Sequence, residues 1–300
     1  MTFKLKKRKL SVPELIEKAN EWDQRYLDVT VHSIELSDPH RHRALTREFL
    51  SKENRGAFKA TNAYSKKLWM AELLELFRRD GACLPQWDGT ICAMVTLTHE
   101  QWATGDNNIQ FNLTAAKKKV RAALAGTDFI ACFEPALYTN EEFKGGDGKL
   151  LSFHCHALVW AARRSDLDFL RKSIKGRFTP MLGNKAGVHI SQRKARRDVA
   201  QTIIYMSKMP CCGYKTIAGQ GGKKLQQKTS RVSYGSRSKL FHAMAKYSVF
   251  NLWLAGGRGV GPLREARNKL KKGYKPKVLP CGGFRVSTFS RDGGLADRHR

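Results

Sequence analysis

The chain is poor in acid: 26 Asp plus Glu stand against 55 Lys plus Arg in 300 residues, a formal net charge of +29 with histidine neutral. That balance sets it apart from an ordinary cytosolic enzyme and calls for a polyanionic partner, of which nucleic acid is the commonest. Long apolar runs are missing too. None approaches the roughly 18 consecutive residues of a spanning helix, and residues 1–10 are basic with no apolar region behind them. We therefore expect a soluble, cytoplasmic protein with no secretion signal and no membrane partner. Seven cysteines, at 83, 92, 132, 155, 211, 212 and 281, are odd in number and include no Cys-x-x-Cys, which argues against a disulfide scaffold and against structural zinc. Nucleotide loops are absent as well. Around Gly219–Lys224 a P-loop would need Gly at 217 and Ser or Thr at 224, where Ile217 and Lys224 stand, and Gly257–Pro262 carries Pro262 in place of the third glycine of a dinucleotide fingerprint.

What the chain has in quantity is core material. A hydrophobic fraction of 41%, with 15 Phe, 8 Tyr and 6 Trp, can fill an interior, so the charge belongs to a folded protein and not to a disordered basic tail. Residues 1–85 read as a basic helical N-terminal region, clearest at 64–79, where Leu68, Ala71, Glu72, Leu74, Leu76 and Phe77 mix core and solvent positions at helical spacing. Residues 86–212 carry the strands. Positions 91–98 (ICAMVTLT) are strand-like and lead to a polar turn at 104–108, and 112–125 form an Ala-rich amphipathic helix. Runs at 129–137 and 150–160 flank a Gly-, Asn- and Asp-containing loop and read as a long antiparallel hairpin. A helix over 166–175, a short strand near 188–192 and a helix over 196–209, stopped by Pro210, complete the order βαββαβα. The expected fold class is α+β, with helices packed on a central antiparallel sheet. Residues 213–257 read as a basic loop, at 219–228, with an apolar helix over 241–254. Residues 258–300, rich in Lys and Arg with scattered Gly and Pro, read as a basic, mobile tail.

Two of these elements carry chemistry. His154-Cys155-His156 lies inside a strand pattern, where residues i and i+2 share a face, so both imidazoles can reach one metal ion. A second His-x-His, at His40 and His42, has a charged, non-strand setting and is assigned to the surface. If the hairpin loop is centred near Lys144, residues whose numbers sum to about 288 face one another, which sets Glu134 opposite His154. Two nitrogens and a carboxylate suit Mg²⁺ or Mn²⁺, with Zn²⁺ also open. On the helix over 196–209, Asp198, Gln201, Tyr205 and Lys208 fall within about 80° of one another, while Val199, Ile203 and Met206 occupy the opposite side. Tyr-x-x-Lys recurs at Tyr64/Lys67 and Tyr274/Lys277, but only Tyr205 follows the His-x-His strand and ends the βαββαβα run. The plain alternative is a solvated sheet face and an exposed tyrosine on an amphipathic helix.

Taken in order, Val95-Thr96-Leu97-Thr98 closing a strand, then His154-Cys155-His156, then Tyr205-Met206-Ser207-Lys208, the sequence over 91–209 resembles the rolling-circle replication initiators (Rep proteins) of phages and plasmids, members of the HUH endonuclease superfamily. The resemblance implies an RRM-like βαββαβα nuclease core. It implies a bacterial host cell, single-stranded and replication-origin DNA as substrates, and host helicase and polymerase as partners. Conjugative relaxases of the same superfamily place the tyrosine before the histidines, and this chain places it after.

By that resemblance His154, His156 and Glu134 hold a divalent ion, Tyr205 attacks the scissile phosphate, and a 5′-phosphotyrosine and a free 3′-OH result. An unperturbed phenol at pH 7 is only about 0.1% ionised, a handicap of about 4 kcal/mol that metal charge and the Lys208 ammonium can offset. Thr96 and Thr98 match the family's first motif and are expected to act as scaffold for the metal face. Some relatives carry a second tyrosine or a glutamate one turn before the first for the closing strand transfer; here Gln201 stands at that place, and Asp198 is two turns back. Two other readings stay open: a non-catalytic basic nucleic-acid-binding protein, and an HUH-type transposase or mobilisation protein.

Overall fold

The computed structural model describes residues 58–78, 91–105, 109–139, 149–161, 164–179, 187–193, 196–208, 213–217, 226–230 and 233–273, with isolated residues between 14 and 36. Helix α1 (Ala63–Arg78) is followed by strand β1 (Ile91–Gly105), α2 (Leu113–Ala123), β2 (Asp128–Thr139) and β3 (Lys149–Ala161). Next come α3 (Arg164–Ile174), β4 (Val188–Arg193) and α4 (Arg196–Ser207). The described chain closes with β5 (Gly213–Ile217), β6 (Gln226–Ser230), α5 (Tyr234–Ala245), the single turn α6 (Val249–Leu252), β7 (Trp253–Gly256) and α7 (Val260–Lys271).

The sheet runs β4-β1-β3-β2-β5-β6, with β7 also pairing with β2. Every pairing is antiparallel except the parallel contact of β2 with β5. The expected α+β class is thus found, with helices packed on a predominantly antiparallel sheet. The hairpin register holds from end to end, Asp128 opposite Trp160 and Thr139 opposite Lys149, so Glu134 faces His154 as the sequence spacing requires. On the other side of β3, β1 sets Thr96 opposite His156 and Thr98 opposite His154. Directly opposed residues share a sheet face, so Thr96, Thr98, Glu134, His154 and His156 all project the same way. Cys155 between the histidines points to the other face and is fully buried.

β2 exchanges partners along its outer edge, pairing with β7 over residues 129–132 and with β5 over 137–139. Pro135 falls in the gap between them, where a missing N–H is tolerated because no ladder bond is required. The main hydrophobic core has Trp69, Leu73, Phe129, Phe133, Phe153 and Trp160 among its buried members, and a smaller cluster of Ala103, Ala136, Tyr138 and Leu150 carries Tyr214 of β5. Phe111 stacks on Phe153 at 4.0 Å between ring centroids. α4 lies against β2, β3 and α1, and α1 lies against α7. Among the described residues no helix is long and apolar enough to cross a membrane.

Four expectations need adjustment. β1 does not stop at Thr98: it continues through an irregularity between Thr98 and Ala103 to Gly105, which buries Trp102 against Phe133 and Phe178. The apolar run at 241–254 is not one helix. α5 ends at Ala245, Ser248 caps the short α6, and Trp253–Gly256 becomes a strand because the first half of β2 needs a partner on its outer edge. An apolar run of this length is compatible with either state until its neighbours are known. The basic segment at 219–228 ends in β6, which pairs with β5, while its first residues lie outside the described residues. The basic C-terminal segment begins with α7, whose Pro262, Ala266 and Leu270 are buried; residues 274–300 lie outside the described residues.

The glycine run before α7 has a steric explanation. A Cβ at Gly256 would strike the Phe129 ring, one at Gly257 (φ +54°) the Asp128 carboxylate, and one at Gly259 the Phe129 carbonyl. Asp128 in turn accepts hydrogen bonds from the Arg258 backbone N–H and guanidinium, both at 2.7 Å.

Candidate active site

Glu134, His154 and His156 form a buried cluster whose ligand atoms all lie within 4.8 Å of one another, and it could hold a metal ion. The Glu134 Oε2 atom is 3.6 Å from His156 Nε2 and 3.8 Å from His154 Nε2. Two ligands about 2.1 Å from a shared tetrahedral zinc lie about 3.4 Å apart, so each of the two Glu–His pairs is within a few tenths of an ångström of that spacing. Glu134 Oε2 and His156 Nε2 are buried and have no hydrogen-bond partner among the described residues. Buried polar atoms left in that state are costly unless something else satisfies them, and a cation placed between them would do so.

The protonation states suit ligation. Burial drives His156 well below its ordinary range, helped by His154 and the Lys208 ammonium. Burial also lowers His154, against the pull of the Glu134 carboxylate. Both rings are neutral at pH 7, as a metal requires. Cys132, opposite His156 on β2, stays a thiol, since burial pushes it up to about 12.

Thr96 does more than hold the sheet. Its Oγ1 lies 3.0 Å from His156 Nδ1, and the tautomer that frees the Nε2 lone pair for a ligand is the one whose Nδ1–H donates to that hydroxyl. Thr96→Val keeps the shape and removes the acceptor. We expect a 10- to 100-fold loss of Mn²⁺ affinity, the usual consequence of deleting a ligand's outer partner, measured by titration calorimetry. Thr98 faces the neighbouring segment, its backbone N–H donating to the Gly187 carbonyl at 2.8 Å, which makes it a strand-fixing residue beside the cluster.

α4 brings in the remaining residues. Val199, Ile203 and Met206 are buried as their spacing requires, which fixes the helix's rotation. Tyr205 then sits edge-on to His156, ring centroids 4.9 Å apart and planes at 74°. The Lys208 ammonium lies 3.7 Å above the Tyr205 ring and 3.4 Å from Glu134 Oε1. Burial works against its charge, but the Glu134 carboxylate, Tyr205 and Tyr214 more than offset this and hold it above its ordinary range. Glu134 therefore faces two ways, with Oε2 toward the histidines and Oε1 toward Lys208. Gln201 is exposed, and Asp198 lies in the first turn of α4, about 10 Å along the axis from Tyr205 at 1.5 Å per residue.

Two residues that the spacing of motifs did not single out belong to this neighbourhood. Lys66 on α1 donates to the Lys208 carbonyl at 2.9 Å, tying down the C-terminal end of α4. Tyr214 on β5 packs against Tyr138 at 5.3 Å between centroids, and burial raises its phenol while the nearby Lys208 pulls it down. The aromatic and basic character of both was visible in the sequence, but nothing local connects them to Tyr205. The second His-x-His, His40 and His42, and the Tyr274/Lys277 pair lie outside the described residues.

Burial of the two histidines also predicts a pH dependence. The unfolded chain takes up protons at the ordinary histidine value of 6.5, whereas the folded rings resist them to lower pH. Stability is therefore greatest above about 6.5 and falls as pH drops below it, because the unfolded state then binds more protons. Thermal melts in EDTA at pH 7.5 and 5.5 measure this, and His156→Gln should show a shallower fall than the parent.

No protein-family model, curated protein or solved structure matches the chain.

Proposed function

We propose that this chain is a metal-dependent single-stranded DNA nicking and joining enzyme of the HUH type, acting as a rolling-circle replication initiator. The observation that carries the reading is the packing of the Tyr205 ring against His156 at 4.9 Å, beside a buried Glu-His-His cluster. The element order from β1 to α4 and the antiparallel strand order β4-β1-β3-β2 agree with the split-βαβ topology that an RRM-like core would have.

When bound at Glu134, His154 and His156, the divalent ion supplies Lewis-acid polarisation of the scissile phosphate. The chain's own residues do the rest. Tyr205 Oη forms a bond to phosphorus as the bond to the 3′-oxygen breaks, and the phenol's proton is balanced by the proton on the departing 3′-OH. Lys208, above the ring, screens the phosphate's charge. The DNA 5′ end is kept as a phosphotyrosine, and a later attack by a 3′-OH rejoins the strand with no nucleotide triphosphate consumed. The 55 basic residues supply phosphate contacts along the substrate.

The test is incubation of the protein with single-stranded circular DNA from its genetic element, with Mn²⁺ or with EDTA. A metal-dependent covalent adduct, mapped to Tyr205 by peptide mass spectrometry, is the expected result. Tight binding with neither cutting nor attachment on the cognate origin under any divalent metal would leave a binding protein instead.

A further inference from the structure

At the outer edge of β7 a cavity of about 430 Å³ opens between α2, α6 and α7. One wall carries Lys117 and Arg121 from α2, the other Arg264 and Arg267 from α7. No carboxylate lines it among the described residues, although Lys269 further along α7 is paired with Glu72 and Glu265. The floor is apolar: Phe250, Leu263 and Val260, the last of which is 38% exposed. Behind it Trp69 and Trp253 pack edge to face, and the buried Trp69 indole N–H has no hydrogen-bond partner among the described residues. The Arg267 guanidinium lies 5.6 Å over the Phe250 ring.

Four cations facing one another across an apolar floor repel. Lys117 registers this: burial lowers it first, and Arg121 and Arg267 lower it further. An anion between the walls removes that repulsion, and a flat apolar group on the anion can cover Phe250, Val260 and Leu263. An inorganic phosphate has the charge without the flat group, and a lipid tail has the apolar part without the shape. A nucleotide has both, and base stacking on aromatic side chains beside a basic track is the general mode of single-strand binding. The volume falls within the range of small-ligand sites.

We propose that this cavity is a second nucleic-acid site, holding one nucleotide of a single strand with its base on the Phe250 floor and its phosphate between the α2 and α7 cations. Neither Tyr205 nor the Glu134 cluster lines the cavity, so the inference goes beyond the nicking reaction and is tested without metal.

The test uses the full chain carrying Tyr205→Phe, in EDTA, with a fluorescent dT12 strand, dTMP and a polyglutamate peptide as probes. Arg121→Ala with Arg264→Ala removes one cation from each wall; both side chains are exposed, so circular dichroism should not change. Lys172→Ala with Lys175→Ala, exposed in the last turn of α3 and just after it, removes the same charge elsewhere. The cavity pair should weaken dT12 at least 10-fold more than the control pair, and should lower the slope of log affinity against log salt by about 1.4, at about 0.7 per lost single-strand contact. dTMP should quench the tryptophan emission of the parent, be displaced by dT12, and leave the cavity pair's emission unchanged. Equal losses from the two pairs would overturn the site. Polyglutamate competing as well as dT12 would assign the cavity to an acidic protein segment, and dTMP that dT12 fails to displace would assign it to a free nucleotide; either result overturns the strand site. Because no cleavage is read, failure here leaves the Tyr205 reaction untouched, and failure of that reaction leaves this site standing.

Discussion

Tyr205→Phe is expected to eliminate the covalent DNA adduct and to reduce strand cleavage by a factor on the order of 10³ or more, while DNA affinity stays within about twofold. Removing a nucleophile while keeping its ring has that signature, because the lost oxygen acts only in the transition state. A factor of 10³ corresponds to about 4 kcal/mol of barrier. Phenylalanine keeps the edge-on contact with His156 and the face under Lys208, so the fold should not change. A denaturing gel of nicked product, read beside fluorescence anisotropy of the same DNA, separates the two effects. Cleavage retained at parental rate would move the nucleophile elsewhere and end the reading given to α4.

Glu134→Gln is expected to act twice. Its Oε2 faces the two histidines and its Oε1 the Lys208 ammonium, so one substitution removes the anionic member of the candidate metal cluster and strands a largely buried cation. Metal affinity should fall about 100-fold or more. Stability should fall by about 2 kcal/mol, below the usual cost of breaking a buried pair because the Lys208 side chain is 20% exposed. That corresponds to a Tm lower by about 4–8 °C. Adding Lys208→Met removes the stranded charge, so the double variant should recover most of the Tm and none of the metal binding. Calorimetric metal titration and thermal melts on the three proteins decide it. Parallel recovery of both properties would mean that the carboxylate serves only the lysine.

The parts of the site that could be read from the sequence are those that depend on local periodicity. Antiparallel strands joined by one loop keep a constant register unless a bulge intervenes, so knowing the loop centre was enough to set Glu134 against His154. Helical periodicity put Val199, Ile203 and Met206 inside and turned Tyr205 toward the cluster. β1 was less legible because its irregularity between Thr98 and Ala103 serves a distant need, the burial of Trp102. The same holds for Glu72, which reads as a helix-surface residue and is fully buried against Lys269 of α7. Trp253–Gly256 carries no periodic signal of its own; it is a strand because β2 has an edge to fill. Lys66 and Tyr214 reach the site through pairings across the fold, which no spacing rule encodes.

The glycine run ahead of α7 bears on how natural variation in this protein should be interpreted. At Gly256, Gly257 and Gly259 a single added carbon meets Phe129 or Asp128 at the start of β2, so selection can accept almost no other amino acid there. Their G-x-G spacing would nevertheless invite assignment as a phosphate loop. What the spacing records is only how closely this segment passes the start of β2. A substitution at these glycines therefore reports on packing, whereas one at Glu134, His154 or His156 alters the cluster that could hold a metal ion.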